Sequence, residues 1–284
     1  MDWHGIDDTP GLIRELLAVR GLALKKRWGQ NFMVSRPARE RIVNELAPES
    51  AETVWEIGSG LGGITALLVG RARRVIVFEV DYGLMEVIRA RFGETVRMVA
   101  GDAVKTVLEE EVLPDRIVGN LPYRSAAAIV TSILEDPRLL AATRRMVFTV
   151  QKEMARRMVA EPGSSDYSPF SVLCSVSASV RLAGDLSRGN FYPAPDVVSS
   201  IVVMEPKPIS PELQRLCAAA ARALFAQRRK TVANNAKNLA AALSLPLDVV
   251  RAIIEEAGIS LAVRAERVAP HDYLRLAELL AARV

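Results

Sequence analysis

The sequence predicts an α/β chain: a doubly wound, mostly parallel sheet within residues 1–205, then a small all-helical domain over residues 206–284. Three observations predict it. Between residues 53 and 151, short β-branched runs alternate with stretches of helical spacing. Those runs are apolar throughout rather than alternating, as parallel strands covered on both faces require. Finally, residues 206–211 (PKPISP) cannot continue a strand or a helix, and residues 212–284 are rich in Ala, Leu and Arg with no strand signal.

Taken in order, strands are expected at 53–58 (TVWEIG), 74–80 (RVIVFEV), 96–101 (VRMVAG), 116–119 (RIVG) and 146–151 (MVFTVQ). Crossover helices are expected between them at 63–71, 82–92, 106–111 and 126–134. Residues 172–182 and 197–204 read as two further strands, an antiparallel finish to the same sheet. Beyond the proline segment, three to five short helices are expected.

Composition narrows the function classes. The chain has 284 residues, half of them apolar, enough for a sizeable core. No apolar run approaches the roughly 18 residues of a membrane span. The start carries Asp2, Asp7 and Asp8 and no apolar stretch, so neither a secretory signal nor an Arg-rich transit peptide is expected. Two cysteines, Cys174 and Cys217, form no CxxC, which disfavours a disulfide scaffold or thiolate zinc site and fits a reducing, cytoplasmic setting. His4 and His271 are the only histidines, at opposite ends of the chain, so a Ser-His-Asp triad or His-rich metal site is not expected. Against 33 acidic residues stand 37 basic ones, a net charge of +4, mildly basic and only a weak pointer to nucleic acid.

The first strand runs into Glu56-Ile57-Gly58-Ser59-Gly60-Leu61-Gly62-Gly63. A tight glycine turn after a buried strand lets backbone N–H groups face a ligand at a helix N-terminus. Two readings of it compete. Gly58, Gly60 and Gly63 satisfy GxGxxG, with Glu79 placed where an acid holds a ribose diol in a dinucleotide site. The same glycines give ExGxGxG, the loop of S-adenosylmethionine (SAM) enzymes. Glycines under an amino-acid end, Glu79 on ribose hydroxyls and Asp102 on an adenine amine form a series along one sheet edge.

The fourth strand ends in Asn120-Leu121-Pro122-Tyr123. A short amide, a rigid proline and an aromatic face at a strand's carboxyl end make a holder for a flat, amine-bearing ring. The Asn oxygen and a neighbouring carbonyl can accept both amine hydrogens while Tyr stacks on the ring. Beside the glycine loop, the element looks like the [DNS]PP[YF] motif of amino-group methyltransferases.

With these residues the chain resembles the small-subunit ribosomal RNA adenine N6,N6-dimethyltransferase family. The resemblance is carried by 25–32 (KKRWGQNF), 56–65 (EIGSGLGGIT), 79–81 (EVD), 101–103 (GDA), 120–123 (NLPY) and 225–231 (FAQRRKT) with Asn234 and Asn235; residues 151–156 (QKEMAR) and 191–195 (FYPAP) add to it. It implies a Rossmann-like, SAM-dependent methyltransferase sheet with a helical C-terminal domain, and a lid segment within residues 1–50. In that family pattern Asn31 and the backbone at Met33 close over SAM, and Gly58, Gly60, Glu79, Asp102 and Asn120 complete the pocket. Asn120, Leu121, Pro122 and Tyr123 hold the target adenine, with Phe191 as second stacking partner. Lys25, Lys26 and Arg27, and Arg228, Arg229 and Lys230 in the helical domain, contact RNA phosphates. The implied substrate is a pair of adjacent adenines in a hairpin loop near the 3′ end of small-subunit rRNA, presented on a pre-small-subunit particle to a monomeric enzyme that needs no metal. Trp28, Met33, Ser59 and Val198 depart from the family pattern, Ser59 standing where Pro is usual and Val198 where Asp is.

Such chemistry suits a chain poor in histidine, because transfer to a delocalised amine needs orientation and two acceptors more than a strong base. Three alternatives stay open at this level. They are the large-subunit rRNA adenine methyltransferase of the macrolide-resistance type, a non-catalytic RNA-binding assembly factor, and an NAD-dependent oxidoreductase.

Overall fold

The structure is a computed structural model that describes residues 9–19, 21 and 30–283. The chain divides into two compact units. The first comprises Met1–Ala155 with Arg181–Glu205, the second Arg156–Val180 with Pro206–Val284.

The first unit opens with α1 (Pro10–Val19), β1 (Phe32–Met33) and α2 (Arg36–Leu46). Ser35 caps α2, its side chain accepting from the Ala38 N–H. The alternating region follows as β2 (Thr53–Ile57), α3 (Thr65–Leu68), β3 (Arg74–Glu79), α4 (Tyr82–Phe92), β4 (Val96–Ala100), α5 (Ala103–Glu109) and β5 (Arg116–Asn120). It continues through α6 (Ala126–Glu135), α7 (Pro137–Ala142), β6 (Arg145–Gln151) and α8 (Lys152–Met158). After α9 (Pro169–Ser177) come β7 (Ala178–Leu186), β8 (Phe191–Tyr192) and β9 (Ser199–Pro206). The expected strands at 53–58, 74–80, 96–101, 116–119 and 146–151 all form. The crossover expected at 63–71 shrinks to α3, because glycine turns occupy both of its ends.

A seven-stranded sheet results, in the order β4-β3-β2-β5-β6-β9-β7. Strands β4, β3, β2, β5 and β6 pair in parallel and β9 pairs antiparallel to β6. The apolar strand sequences are explained by their burial: β2 is covered at every residue, as is β3 beyond Arg74. One face packs on α2 and α3 through Ile42, Val43, Leu46 and Leu68 against Val54, Val75 and Val77. Strands β3 and β5 flank β2 on opposite sides, so the chain order reverses between β2 and β5. That switch point opens a crevice at their carboxyl ends.

The second unit contains α9, α10 (Pro211–Leu224), α11 (Val232–Leu243), α12 (Leu247–Glu256) and α13 (Pro270–Ala281) around a core of Leu216, Leu224, Ile253, Tyr273 and Leu276. Two expectations need correction here. Residues 172–182 are not one strand: 172–177 lie in α9, and only the remainder is in β7. Ser168 and Ser171 form a capping box and Pro169 takes the first turn, signals that outweigh the strand propensity of the following apolar run. The domain boundary at 205 is likewise incomplete. Residues 156–180 group with the helical unit because α9 packs on α10 and α13. The prolines at 206–211 end β9 and, with Ser210 as N-cap, start α10.

Candidate functional site: a cavity at the sheet switch point

At the carboxyl ends of β2, β3 and β5 lies a cavity of about 300 Å³. Its wall includes Asn31, Met33, Gly58, Gly60, Glu79, Asp102 and the whole Asn120–Tyr123 element, so sequence-expected residues spread over 92 positions converge on one space.

The loop after β2 needs its glycines. Gly60 has φ +56°, and a Cβ there would come within 3.1 Å of the Phe32 ring. Gly62, at φ +81°, would press a Cβ to 2.6 Å from Phe92. Ser59, between Gly58 and Gly60, is buried, and its hydroxyl has no hydrogen-bond partner among the described residues.

Glu79 staples this loop. One carboxylate oxygen accepts from the Gly60 N–H at 2.9 Å, and the other from the Val80 and Asp81 N–H groups at 3.0 Å. Burial pushes its pKa up, against the pull of those backbone donors. Three donors do not saturate a carboxylate, so lone pairs stay available to a hydroxyl ligand. Glu56, at the end of β2, is more extreme. It is 1% exposed, accepts from Thr65 Oγ1 at 2.5 Å, and is pushed up to about 8, chiefly by burial and further by the neighbouring Glu79. Asp102 is exposed and caps α5 by accepting from the Val104 N–H at 3.0 Å.

Asn120 ends β5, and its Nδ2 donates to the Asn31 carbonyl at 2.8 Å. With the amide nitrogen turned to Asn31, Oδ1 is left as an acceptor, and no described residue donates to it. The Leu121 N–H is taken by the Thr149 carbonyl at 3.0 Å, while the Leu121 carbonyl receives no donor among the described residues. Tyr123 is half-buried, its hydroxyl 2.8 Å from Ser199 Oγ, and burial raises its pKa. Two acceptors and a pinned aromatic ring thus sit together at one strand end.

The family model of ribosomal RNA adenine dimethylase matches residues 21–282. The chain belongs to the ribosomal RNA adenine dimethylase family. Among its relatives, the ribosomal RNA small subunit methyltransferase A of Treponema pallidum is 36% identical over 275 residues, covering 95% of each chain. The protein of the same name from Treponema denticola is 32% identical, covering 96% of this chain and 95% of that one. In fold, the chain resembles a dimethyladenosine transferase from Plasmodium falciparum, with TM-score 0.70 and 24% identity, over 85% of this chain and 94% of that one. It also resembles the 23S rRNA methyltransferase ErmE, with TM-score 0.63 and 24% identity, over 88% and 100%. The dimethylase family is thus a methyltransferase family on a Rossmann-like sheet, as the sequence motifs imply.

The structure places two of the expected site residues differently from the family-based expectation. Phe191 is not on the cavity wall. Strand β8 pairs antiparallel with β1, Met33 opposite Phe191, and Phe191 is 4% exposed in an apolar cluster with Met33, Ile42 and Val43. Arg228 is not free for a phosphate: it lies in the turn between α10 and α11. Its guanidinium donates to the Ser165 and Tyr167 carbonyls at 2.6 and 3.0 Å and pairs with Glu266 at 3.3 Å. Asn235, buried in α11, fixes the same turn by accepting from the Gln227 N–H and donating to the Gln227 carbonyl. Arg229 and Lys230 are exposed, with no partner among the described residues. Lys25, Lys26 and Arg27 lie outside the described residues.

Four wall or supporting residues were not singled out from sequence: Glu56, Arg39, Arg124 and Ser199. Only Glu56 carried a signal, as the acid opening ExGxGxG. Among the described residues, no His/Cys/Asp/Glu group could hold a metal, and no helix is long and apolar enough to cross a membrane.

Proposed function

We propose that the chain dimethylates N6 of two adjacent adenines in a 3′-terminal hairpin loop of small-subunit rRNA, on a pre-small-subunit particle, with SAM as methyl donor. One observation carries the reading: Asn120, with its amide nitrogen donating to Asn31, presents an acceptor beside Tyr123 on the wall of a glycine-loop cavity. The cavity suits the cofactor. The backbone approach at Gly60 leaves no room for a side chain, and Glu79 keeps carboxylate lone pairs for a diol. Asn31, Met33, Gly58, Gly60, Glu79 and Asp102 would hold SAM, which when bound supplies an electrophilic methyl on a sulfonium.

The chain's own part is orientation. Asn120 Oδ1 and the Leu121 carbonyl accept the two amine hydrogens and draw the nitrogen lone pair out of ring conjugation. Pro122 closes the turn, and Tyr123, held by Ser199, stacks on the adenine. The base must be unpaired or flipped to reach them. Phosphate contacts fall to Lys25, Lys26, Arg27, Arg229 and Lys230. We take the enzyme to be a cytoplasmic monomer. The small-subunit names of the relatives favour this reading over a large-subunit target. Incubation with labelled SAM and unmethylated small subunits, followed by mapping of the modified bases, tests it. Label on two adjacent adenines near the small-subunit rRNA 3′ end is expected, and absence of transfer would refute the proposal.

A further inference from the structure

The wall of the cavity carries two arginines, Arg39 and Arg124. Arg39 is 5% exposed, whereas Arg124 is exposed at the mouth, directly after Tyr123. Many arginines of this unit are committed to acids: Arg36 to Glu40, Arg97 to Glu110 and Arg145 to Glu205. Arg124 has no such partner among the described residues, although Glu79 and Asp102 line the same cavity.

Its backbone is well fixed. The Ser125 and Ala126 N–H groups both donate to the Pro122 carbonyl, at 3.1 and 2.9 Å, closing a turn that carries Arg124 between Tyr123 and α6. Tyr123 is in turn anchored to Ser199 at 2.8 Å. The guanidinium therefore springs from a point one residue from the aromatic ring that would stack on the base.

We propose that Arg124 binds a backbone phosphate flanking the target adenosine as its base enters the cavity, an inference that rests on the function proposed above. A nucleotide whose base reaches Asn120 leaves its phosphates at the mouth, where Arg124 stands. Those phosphates approach a wall bearing Glu79 and Asp102, so like-charge repulsion opposes entry unless a cation meets them. A guanidinium answers this with a planar fork that matches phosphate oxygens two at a time. Arg124 thus admits the polyanion and holds it at the mouth, without reading sequence.

The test uses the full chain, pre-small-subunit particles and SAM. Arg124→Gln is expected to raise KM for particles about tenfold, to leave kcat within about twofold, and to lower the salt slope of log KM by about 0.7–0.9, one phosphate's share. Arg124→Lys keeps the charge without the fork and is expected to hold the salt slope while recovering only part of the KM. Calorimetric SAM affinity is expected to match wild type in both. Unchanged KM and salt slope in Arg124→Gln would overturn the inference. A fall in kcat at unchanged KM would overturn it too, since Arg124 would then act on the chemistry. Wild-type enzyme that transfers no methyl to the particles would remove the proposed function and this inference together, an outcome visible in the wild-type arm alone.

Discussion

Asn120 Nδ2 lies 2.8 Å from the carbonyl oxygen of Asn31, joining the end of β5 to the segment that leads into β1. The bond gives one side chain two tasks, since it fixes which amide atom remains an acceptor and ties the N-terminal segment to the cavity wall. Asn120→Ala removes both the acceptor and the tie. Turnover is expected to fall about 10²–10³-fold with the fold intact by circular dichroism, because a single preorganised polar group is worth that much. Asn120→Asp is the sharper variant. It keeps an acceptor but sets a carboxylate against the Asn31 carbonyl, so SAM affinity measured by calorimetry should fall along with rate.

Glu79 carries a second prediction. Its carboxylate receives the Gly60, Val80 and Asp81 N–H groups, so Glu79→Ala strands three backbone donors as well as removing a ligand group. Losing charge-assisted bonds costs about 1.5–3 kcal/mol, in unfolding and in SAM binding alike. Urea denaturation and calorimetry on the same variant should both move. SAM affinity lost with stability unchanged would show that the loop does not depend on Glu79.

Glu56 predicts a pH dependence. Burial lifts its folded-state pKa to about 8 from 4.5, the neighbouring Glu79 adding to this and the Thr65 bond and Arg91 opposing it. Between those values the native state holds a proton that the unfolded state has lost, so the group's contribution falls as pH rises from about 4.5 to about 8. The contribution is full below that window and gone above it. Glu56→Gln cannot ionise, and its stability should decline less than wild type over this range in chemical denaturation series. Parallel pH profiles would contradict the assignment.

How far these residues were legible in sequence depends on the forces that hold each in place. Strands β2, β3, β5 and β6 were legible because burial on both faces demands mostly apolar runs, and the glycine loop because backbone geometry there admits little else. Asn120–Tyr123 was legible as a short contiguous element. Residues 172–177 misled because β-branched and apolar composition suits a buried helix as well as a strand, and the deciding signal, the Ser168 capping box, lies upstream. Phe191 came from the family pattern alone, because its side depends on pairing with β1, which alternation within a two-residue strand cannot reveal. Ser199 was invisible for a related reason: its contact with Tyr123 spans 76 positions and exists only once β9 lies beside β6. Arg228 looked like part of a basic patch, yet its partners Ser165 and Tyr167 come from the stretch that sequence assigned to the other domain.

That last contrast yields a prediction separating two adjacent arginines. Arg228 donates to two carbonyls and pairs with Glu266, so Arg228→Ala removes three contacts that hold this turn and should destabilise the helical unit. A loss of about 0.5–1.5 kcal/mol is expected from solvent-accessible bonds of this kind, read as a lower urea midpoint. Arg229 and Lys230 are exposed, and their side chains have no partner among the described residues. Arg229→Gln with Lys230→Gln should therefore leave the midpoint within about 0.5 kcal/mol of wild type. It should instead weaken binding to pre-small-subunit particles and flatten its salt dependence, which tracks the number of phosphates neutralised. SAM affinity should hold in that double variant, because the cavity is built from the first unit alone. Paired titrations with particles and with SAM across salt concentrations distinguish the outcomes. If the double variant binds particles as wild type does at every salt concentration, the turn between α10 and α11 has a structural role only, and the phosphates are met elsewhere on the chain.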